Sequence, residues 1–361
     1  MTRQRLRLAI VGPGDVAHRD YLPEAHRLAD SAEVVAVCGP NEARARSTAE
    51  KFDIPRWYTD VGELLRCEPF DAMINLTSHT AHFDVSLAAL QAGKHLYTEK
   101  PLALSVGRAR ALADEAARRG LVLACAPSVM VFPQVRRARS MVASGMIGTV
   151  FSARGRSLAG VPPWPGFLSD PSHYFETGVG PLPDLAVYPL HALTGILGPA
   201  HCVMAMSQRT RSNFRVSEGP LAGKQVEMKS DDEWHLLVKC GRALASVEAN
   251  YCALTALGPE CELMGDRGAL AFSLFDGSAP ISVVTEGSGR REEDVPHQRV
   301  AGPDHILGVQ HLVDCVRERR HPVLSAEHAI HVLEIVEAAR RSAETGRAVE
   351  VLSTFPVTPL A

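Results

Sequence analysis

The sequence predicts an α/β protein in two parts: a doubly wound parallel sheet at the N-terminus, then an α+β part built on an open, mainly antiparallel sheet. Three observations predict it. Apolar, β-branched runs alternate with helical stretches through the first 125 residues. A glycine-rich turn stands directly after the first of those runs. From Val150 to Val284 the rhythm changes to short strands joined by Gly and Pro turns. At 361 residues the chain is past the size at which a single core stops growing, so two domains are expected, 1–125 and 126–361.

In order, residues 6–11 read as an apolar strand and 22–29 as a helix. Residues 34–38 form the second strand, and 43–52, charged and rich in alanine, the next helix. Strands at 70–76 and 95–97 flank a helix at 81–91, which Gly93 ends. Ser105 caps a helix that runs to Arg119 with Gly120 as its stop, and 121–124 is the following strand. Strand-helix alternation with short links implies parallel pairing, and right-handed crossovers then cover both faces of the sheet. Beyond Pro127, 134–144 is a basic helix, and strands at 234–238, 243–249, 260–264 and 269–272 make an antiparallel meander. Residues 209–230 are polar and aperiodic, a long loop or ribbon, and helices at 304–319 and 326–344 close the chain.

Composition excludes several classes. A formal net charge of −3 gives no basic surface for nucleic acid or an anionic membrane. No stretch approaches the roughly 18 apolar residues of a membrane helix, and residues 1–7, basic and polar, lead into a strand rather than a signal segment. A cytoplasmic protein is expected. The eight cysteines show neither a C-x-x-C pair nor a zinc spacing and read as buried free thiols. The histidines outside the motifs below show no metal spacing either, so no metal is expected.

The glycine turn is Gly12-Pro13-Gly14-Asp15-Val16-Ala17, the pattern G-x-G-x-x-A between a strand and a helix. The first glycine permits the tight turn, the second lets a pyrophosphate approach the backbone, and the small third residue lets helix and strand pack closely. The phosphates would sit on the amides that open the helix, around Asp15 and Val16. This is the dinucleotide-binding turn of a Rossmann domain. Its second strand ends in Cys38-Gly39-Pro40-Asn41, without the carboxylate that holds an NAD ribose, and Arg44 and Arg46 follow. A missing acid and a nearby arginine favour NADP over NAD; the alternative is that both arginines are the solvated face of a helix.

At the end of the 95–97 strand stands Glu99-Lys100-Pro101, where open α/β sheets gather their catalytic groups. A half-buried lysine there suits proton transfer with an alcohol, and Pro101 favours a cis peptide that directs it. The runs Asn75-Leu76-Thr77-Ser78-His79-Thr80-Ala81-His82 and Ala92-Gly93-Lys94-His95-Leu96-Tyr97-Thr98-Glu99-Lys100-Pro101 resemble the signature of the Gfo/Idh/MocA family of glucose–fructose oxidoreductases and inositol dehydrogenases. The resemblance continues through 143–155, 180–199 and 327–347. It implies that Glu99 and Lys100 lie beside the nicotinamide ribose, that Lys100 is the catalytic proton carrier, and that Thr77 and His82 approach the cofactor. Ser78 stands where a proline is usual.

A second constellation is Asp184-x-x-x-Tyr188 with His191 one turn on, a spacing that places all three on one helix face. A carboxylate there can orient Lys100, and a tyrosine or histidine can donate to a sugar hydroxyl. The family pattern carries over to Asp184 and Tyr188; His191 reads equally as a substrate contact or a packed structural histidine. Gly178, Gly180 and Pro181 set the preceding turn. The loop 161–174, with Pro162, Pro163, Trp164, Pro165, Phe167, His173 and Tyr174, either roofs the substrate or packs a subunit interface. Residues 125–133 are mostly apolar, whereas the resemblance implies a polar or arginine-containing run there in many sugar-active members, so a deoxygenated, N-acylated or cyclitol-like substrate is as credible as a hexose.

The expected protein is therefore an NAD(P)-dependent dehydrogenase or reductase of a sugar or cyclitol, a homodimer or homotetramer. Lys100, Asp184 and Tyr188 would be catalytic. Gly12, Gly14, Asp15, Val16, Gly39, Asn41, Arg44, Thr77, Ser78, His82, Glu99 and Lys100 would line the cofactor. Lys100, Trp164, Asp184, Tyr188 and His191 would face the substrate. The resemblance leaves two alternatives, an NAD-dependent glycoside hydrolase and a non-catalytic dinucleotide-binding regulator.

Overall fold

The computed structural model describes residues 4–164, 169–217, 220–296 and 302–357. Two compact units emerge, Met1–Ser128 with Asp304–Ile330, and Val129–Pro303 with His331–Ala361.

The first unit is built on six strands, β1 (Leu6–Val11), β2 (Ala32–Cys38), β3 (Arg56–Tyr58), β4 (Ala72–Asn75), β5 (His95–Thr98) and β6 (Leu123–Cys125). They lie in the order β3-β2-β1-β4-β5-β6, every neighbouring pair parallel. This is the doubly wound sheet that the apolar runs predict. Leu8, Ala9, Ala36, Val37, Met73 and Leu96 have no exposure at all, because helices cover both faces. The helices are α1 (Glu42–Lys51), α2 (Val61–Cys67), α3 (His82–Gln91) and α4 (Val106–Arg119). Asn41, Asp60 and Ser105 cap α1, α2 and α4 by accepting the amides of Arg44, Glu63 and Arg108. Gly120, left-handed at φ 65°, ends α4 as expected.

The register places Val11 beside Cys38 and Asn75, and Asn75 beside Thr98. The loops after β1, β2, β4 and β5 therefore leave one edge of the sheet at the same level. The strand order reverses between β1 and β4, the topological switch point where open α/β sheets bind ligands.

The helix after the glycine turn differs from the expected 22–29. Helical geometry begins earlier, as a π-helical segment Ala17–Tyr21, and resumes as a 3₁₀ turn at Ala25–Leu28. Pro23 separates the two, because it has no N–H to continue the ladder. Near the end of the chain α8 (Ile306–Glu318) returns to this unit, and Leu324 accepts the Cys125 amide at 3.0 Å. A linear division after residue 125 does not contain that return.

The second unit holds α5 (Pro133–Ala143), β7 (Val150–Leu158), α6 (Pro181–Asp184), α7 (Val187–Leu197), β8 (Ala200–Gln208), β9 (Asn213–Arg215), β10 (Gln225–Glu227), β11 (Glu233–Cys240), β12 (Ala243–Asn250), β13 (Cys261–Gly265), β14 (Gly268–Phe272), β15 (Ile281–Thr285), β16 (Arg291–Glu293) and β17 (Val349–Glu350). Helix α9 (Ala326–Thr345) begins in the first unit and ends in the second. Nine strands pair as β16-β15-β14-β13-β7-β12-β11-β8-β17, antiparallel except β7 with β12, and β9 and β10 form the polar ribbon at 209–230. Val203, Leu236, Val238, Ala245 and Val247 alternate inward beneath the helices. Gly155 lets α7 lie against β7, since a Cβ there would stand 2.7 Å from Pro189 and 2.9 Å from Leu193. Met204, Met206, Leu237 and Leu244 alternate outward and are exposed. Among the described residues no helix is long and apolar enough to cross a membrane, and all eight cysteines are free.

Candidate active site

The glycine turn sits at the switch point. Gly12 adopts φ 96°, and a Cβ on it would lie 2.6 Å from the Leu76 carbonyl and the Thr77 amide nitrogen, so this glycine serves the backbone of the neighbouring strand end. Gly14 is different: a Cβ there would meet no atom within 4 Å. That open space beside the first amides of the helical segment, Asp15 and Val16, suits an anion. His18 donates its amide to the Gly14 carbonyl, and Ala17 is fully buried against the sheet, as a small third residue must be. The chain's own residues thus fit a dinucleotide pyrophosphate at this loop.

Beyond β2, Cys38 is fully buried and burial pushes its thiol up to about 12. Gly39 is also buried and donates to the Tyr58 carbonyl at 3.0 Å. The side chain of Asn41 is engaged in capping α1. Arg44 is exposed in the first turn of α1 and its guanidinium has no hydrogen-bond partner among the described residues, whereas Arg46 is paired with Glu50 along the helix at 2.9 Å. Burial lowers the His18 pKa; Lys51 and Arg44 add to that shift and Asp15 opposes it.

Glu99 is 8% exposed. One carboxylate oxygen accepts the Tyr21 hydroxyl at 2.5 Å, and the other accepts the Lys100 amide at 3.0 Å. Tyr21 also meets the Tyr97 hydroxyl at 3.1 Å, and Tyr97 meets Ser128 at 2.8 Å, a wholly buried chain of hydroxyls behind the carboxylate. Burial and the Glu99 charge push both phenols up, so they stay protonated. Lys100 itself is half-buried and joined to Pro101 by the expected cis peptide.

His82 has no accessible surface, so the expected direct approach to a cofactor is corrected. Its ring nitrogens lie 2.7 Å from the Pro101 carbonyl and 2.9 Å from the Thr77 carbonyl, which ties the loop after β4 to the loop after β5. Thr77 is half-buried with its hydroxyl on Asn75 at 2.7 Å, and Ser78 is exposed beside Thr80.

In the second unit Asp184 is 4% exposed and accepts the fully buried Tyr251 hydroxyl at 2.8 Å. Burial and the Asp184 charge push the Tyr251 phenol well up. Trp164 donates to the Ala159 carbonyl at 2.6 Å and packs edge-on against Tyr174 and Tyr251, so the aromatic loop is joined to Asp184 through Tyr251. Phe167 and Pro165 of that loop lie outside the described residues.

The single helix face expected for Asp184, Tyr188 and His191 is corrected. Asp184 ends the short α6, and α7 begins anew at Val187. Pro189, in the first turn of α7, has no N–H for the Leu185 carbonyl, which breaks the ladder between them. Gly178 and Gly180, at φ 81° and 86°, make the turn before Pro181 as expected. Tyr188 is half-buried and packs edge-on against Phe275. His191 is 5% exposed with Nδ1 on the Val187 carbonyl at 2.7 Å, and burial lowers its pKa to about 4. Those surroundings favour its packing role over substrate contact.

Tyr21 and Tyr251 escape a reading of the sequence because their partners lie 78 and 67 residues away. The same holds for one group of metal-type ligands, Glu233, His235 and Glu248, whose ligating atoms lie within 4.8 Å of one another. Cross-strand pairing of His235 with Glu248 creates it, but Gln208 and Asn250 already occupy the two carboxylates.

A family described as "Oxidoreductase family, NAD-binding Rossmann fold" matches residues 6–126, and the "GFO/IDH/MocA C-terminal domain" matches 135–271. The trans-1,2-dihydrobenzene-1,2-diol dehydrogenase of Sus scrofa is 32% identical over 323 residues, which cover 86% of this chain and 88% of that protein. The chain belongs to the GFO/IDH/MocA oxidoreductase family. Another relative, the D-glucoside 3-dehydrogenase of Escherichia coli K12, is 26% identical across 97% of this chain and 99% of its own. Levoglucosan dehydrogenase, solved in complex with NADH and levoglucosan, shares the fold with a TM-score of 0.83 at 22% identity, covering 96% of this chain and 100% of that one. As a GFO/IDH/MocA member the chain is an NAD(P)-dependent oxidoreductase with an NAD-binding Rossmann unit.

Proposed function

We propose that this GFO/IDH/MocA oxidoreductase moves a hydride between the nicotinamide of a bound dinucleotide and a secondary alcohol carbon of a sugar or cyclitol, with Lys100 carrying the hydroxyl proton. The observation that carries the reading is the level row of strand ends at the switch point, which brings Gly12–Gly14, Thr77 and Glu99–Lys100 to one edge of the sheet. A nicotinamide bound there supplies the hydride acceptor or donor.

In this reading Gly12, Gly14, Asp15 and Val16 hold the pyrophosphate, and Gly39, Asn41 and Arg44 surround the adenosine ribose. Thr77, Ser78, Glu99 and Lys100 lie at the nicotinamide end, with His82 acting through the carbonyls it bridges. In the oxidative direction Lys100 Nζ takes the hydroxyl proton as the carbon loses hydride and the carbonyl forms. Asp184 and Tyr188 assist as charge partner and hydroxyl donor, and Trp164 forms an apolar wall for the sugar ring. The exposed Arg44, without a guanidinium partner among the described residues, and the absence of a carboxylate at 39 favour NADP over NAD. Residues 1–125 serve the cofactor, and 126–361 serve substrate and assembly. A homodimer would bury the exposed Met204, Met206, Leu237 and Leu244 of the open sheet face. Free thiols throughout fit a reducing cytoplasm. The named relatives are dehydrogenases, which lends no support to net glycoside hydrolysis or to a purely regulatory role.

The test is a fluorescence titration with NADH and NADPH, followed by oxidised dinucleotide with a panel of hexoses, deoxy sugars, N-acyl sugars and inositols. Tight binding of a reduced dinucleotide and reduction of its oxidised form by at least one polyol is expected. Binding of neither dinucleotide would overturn the reading.

A further inference from the structure

Position 39 follows the last residue of β2, where a carboxylate would hold the 2′- and 3′-hydroxyls of an adenosine ribose. A glycine occupies it, and the backbone gives no reason for one. Gly39 is not among the residues with positive φ, so its φ does not call for a glycine. What excludes a side chain is the glycine turn across from it. A Cβ on Gly39 would stand 2.6 Å from Cδ and 2.8 Å from Cγ of Pro13, with the Pro13 nitrogen next at 3.9 Å. Real Cβ atoms do not approach that closely, and the obstacle is a rigid, buried ring rather than the end of a flexible chain. The two loops cannot ease apart cheaply: Gly12 donates to the Cys38 carbonyl at 2.9 Å and Gly39 to the Tyr58 carbonyl at 3.0 Å.

We propose that Pro13 and Gly39 form an interlocked pair that sets cofactor preference: the Pro13 ring fills the volume a residue-39 side chain needs and so keeps a carboxylate away from the adenosine ribose. This deepens the cofactor reading above and rests on it. Asp60, whose charge reaches the neighbouring Cys38, does not replace the missing acid. Asp60 is committed to the Glu63 amide at the start of α2, at 2.7 Å. Arg44, exposed in the first turn of α1, has no hydrogen-bond partner for its guanidinium among the described residues. The ring thus tilts the pocket toward a 2′-phosphate, and the selecting element is the middle residue of the glycine turn acting through position 39.

Pro13→Ala removes Cγ and Cδ, the two obstructing atoms, while leaving a Cβ. The experiment is a cycle of wild type, P13A, G39D and P13A/G39D, with G39A as the minimal added side chain. Thermal unfolding of the dinucleotide-free protein is the first readout, and Kd for NADH and NADPH by fluorescence is the second. The expected result is that G39A and G39D lower Tm by about 5 °C, and that P13A returns most of the G39D loss. In P13A/G39D the NADH-to-NADPH affinity ratio rises about tenfold or more over P13A alone, whereas G39D in the wild-type background weakens both dinucleotides. Additive Tm shifts in the cycle, or a G39A variant as stable as wild type, would overturn the interlock. A coupled Tm with an unmoved affinity ratio would overturn its role in selection. Failure of the wild type to bind either dinucleotide strikes the underlying cofactor reading instead, and leaves the Tm coupling as an independent result.

Discussion

Replacing Tyr21 by Phe removes one oxygen from a fully buried site and should damage both stability and turnover. The Tyr21 hydroxyl donates to Glu99 at 2.5 Å, and the Lys100 amide, at 3.0 Å, is a second donor to that carboxylate. A hydrogen bond to a charged group contributes about 1.5–3 kcal/mol, and a buried acceptor left without its donor keeps its desolvation cost. The loss should therefore be about 2–3 kcal/mol, or about 5–10 °C in Tm for a unit of this size. Tyr97 keeps Ser128 as a partner at 2.8 Å, so the hydroxyl chain behind it is not dismantled. Because Glu99 bonds the amide of Lys100, a loosened carboxylate also lets the lysine drift, and a displacement of about 1 Å costs up to about a hundredfold in rate. Calorimetry and steady-state kinetics on the same preparations read both effects. A Tyr21→Phe enzyme with wild-type Tm and kcat would refute the claim that this phenol positions the Glu99–Lys100 pair.

Gly12→Ala and Gly14→Ala should separate two kinds of glycine. The first forces a Cβ to 2.6 Å from the Leu76 backbone at φ 96° and should unfold the turn, with Tm well below wild type. The second meets no protein atom within 4 Å, so Tm should hold while dinucleotide Kd rises about tenfold or more; an unchanged Kd would deny the pyrophosphate its place. Tyr251→Phe should cost about 1–3 kcal/mol in denaturant unfolding and lower kcat/KM by freeing the Asp184 carboxylate to reorient, and equal kcat/KM would make that bond structural only. The His191 pKa is lowered to about 4 in the folded chain. Because the unfolded histidine titrates near 6.5, the unfolded state binds the extra proton first. Stability is flat above that pH and falls as pH drops through the window, by up to about 3 kcal/mol at its acid end. Urea midpoints against pH should show this limb, and His191→Gln should make it shallower, the remainder coming from His82, His331, His18 and His95, which burial also lowers.

The first sheet was legible because its strands are covered on both faces. That burial writes the inner strands as unbroken apolar runs such as Leu8–Val11 and Ala36–Cys38, and caps such as Ser105 and Gly120 mark the helices between them. Short, exposed β3 carries no such run, and α2 behind it is only seven residues long, so neither is legible in the sequence. Two prolines limited what periodicity can tell. Pro23 splits the expected helix at 22–29, and Pro189 separates Asp184 from Tyr188 although their spacing fits one helix. The glycine turn, Glu99 and Lys100 were legible because they are local in sequence and tied to a strand end. Their supports were not. Tyr21 behind Glu99, Tyr251 behind Asp184 and the Pro13 ring against Gly39 are contacts that only the folded chain makes. His82 was found as a residue but not in its role, since burial decides whether an imidazole meets a ligand or two carbonyls.

In the proposed reaction the Lys100 amine moves the substrate proton. Lys100→Met keeps the length of the side chain and removes its charge and its basicity. The decisive measurement pairs dinucleotide Kd with kcat for this variant on the best polyol found for the wild type. Kd should stay within about threefold of wild type and kcat should fall by about 10²–10⁴. Turnover at the wild-type rate with intact dinucleotide binding would contradict it.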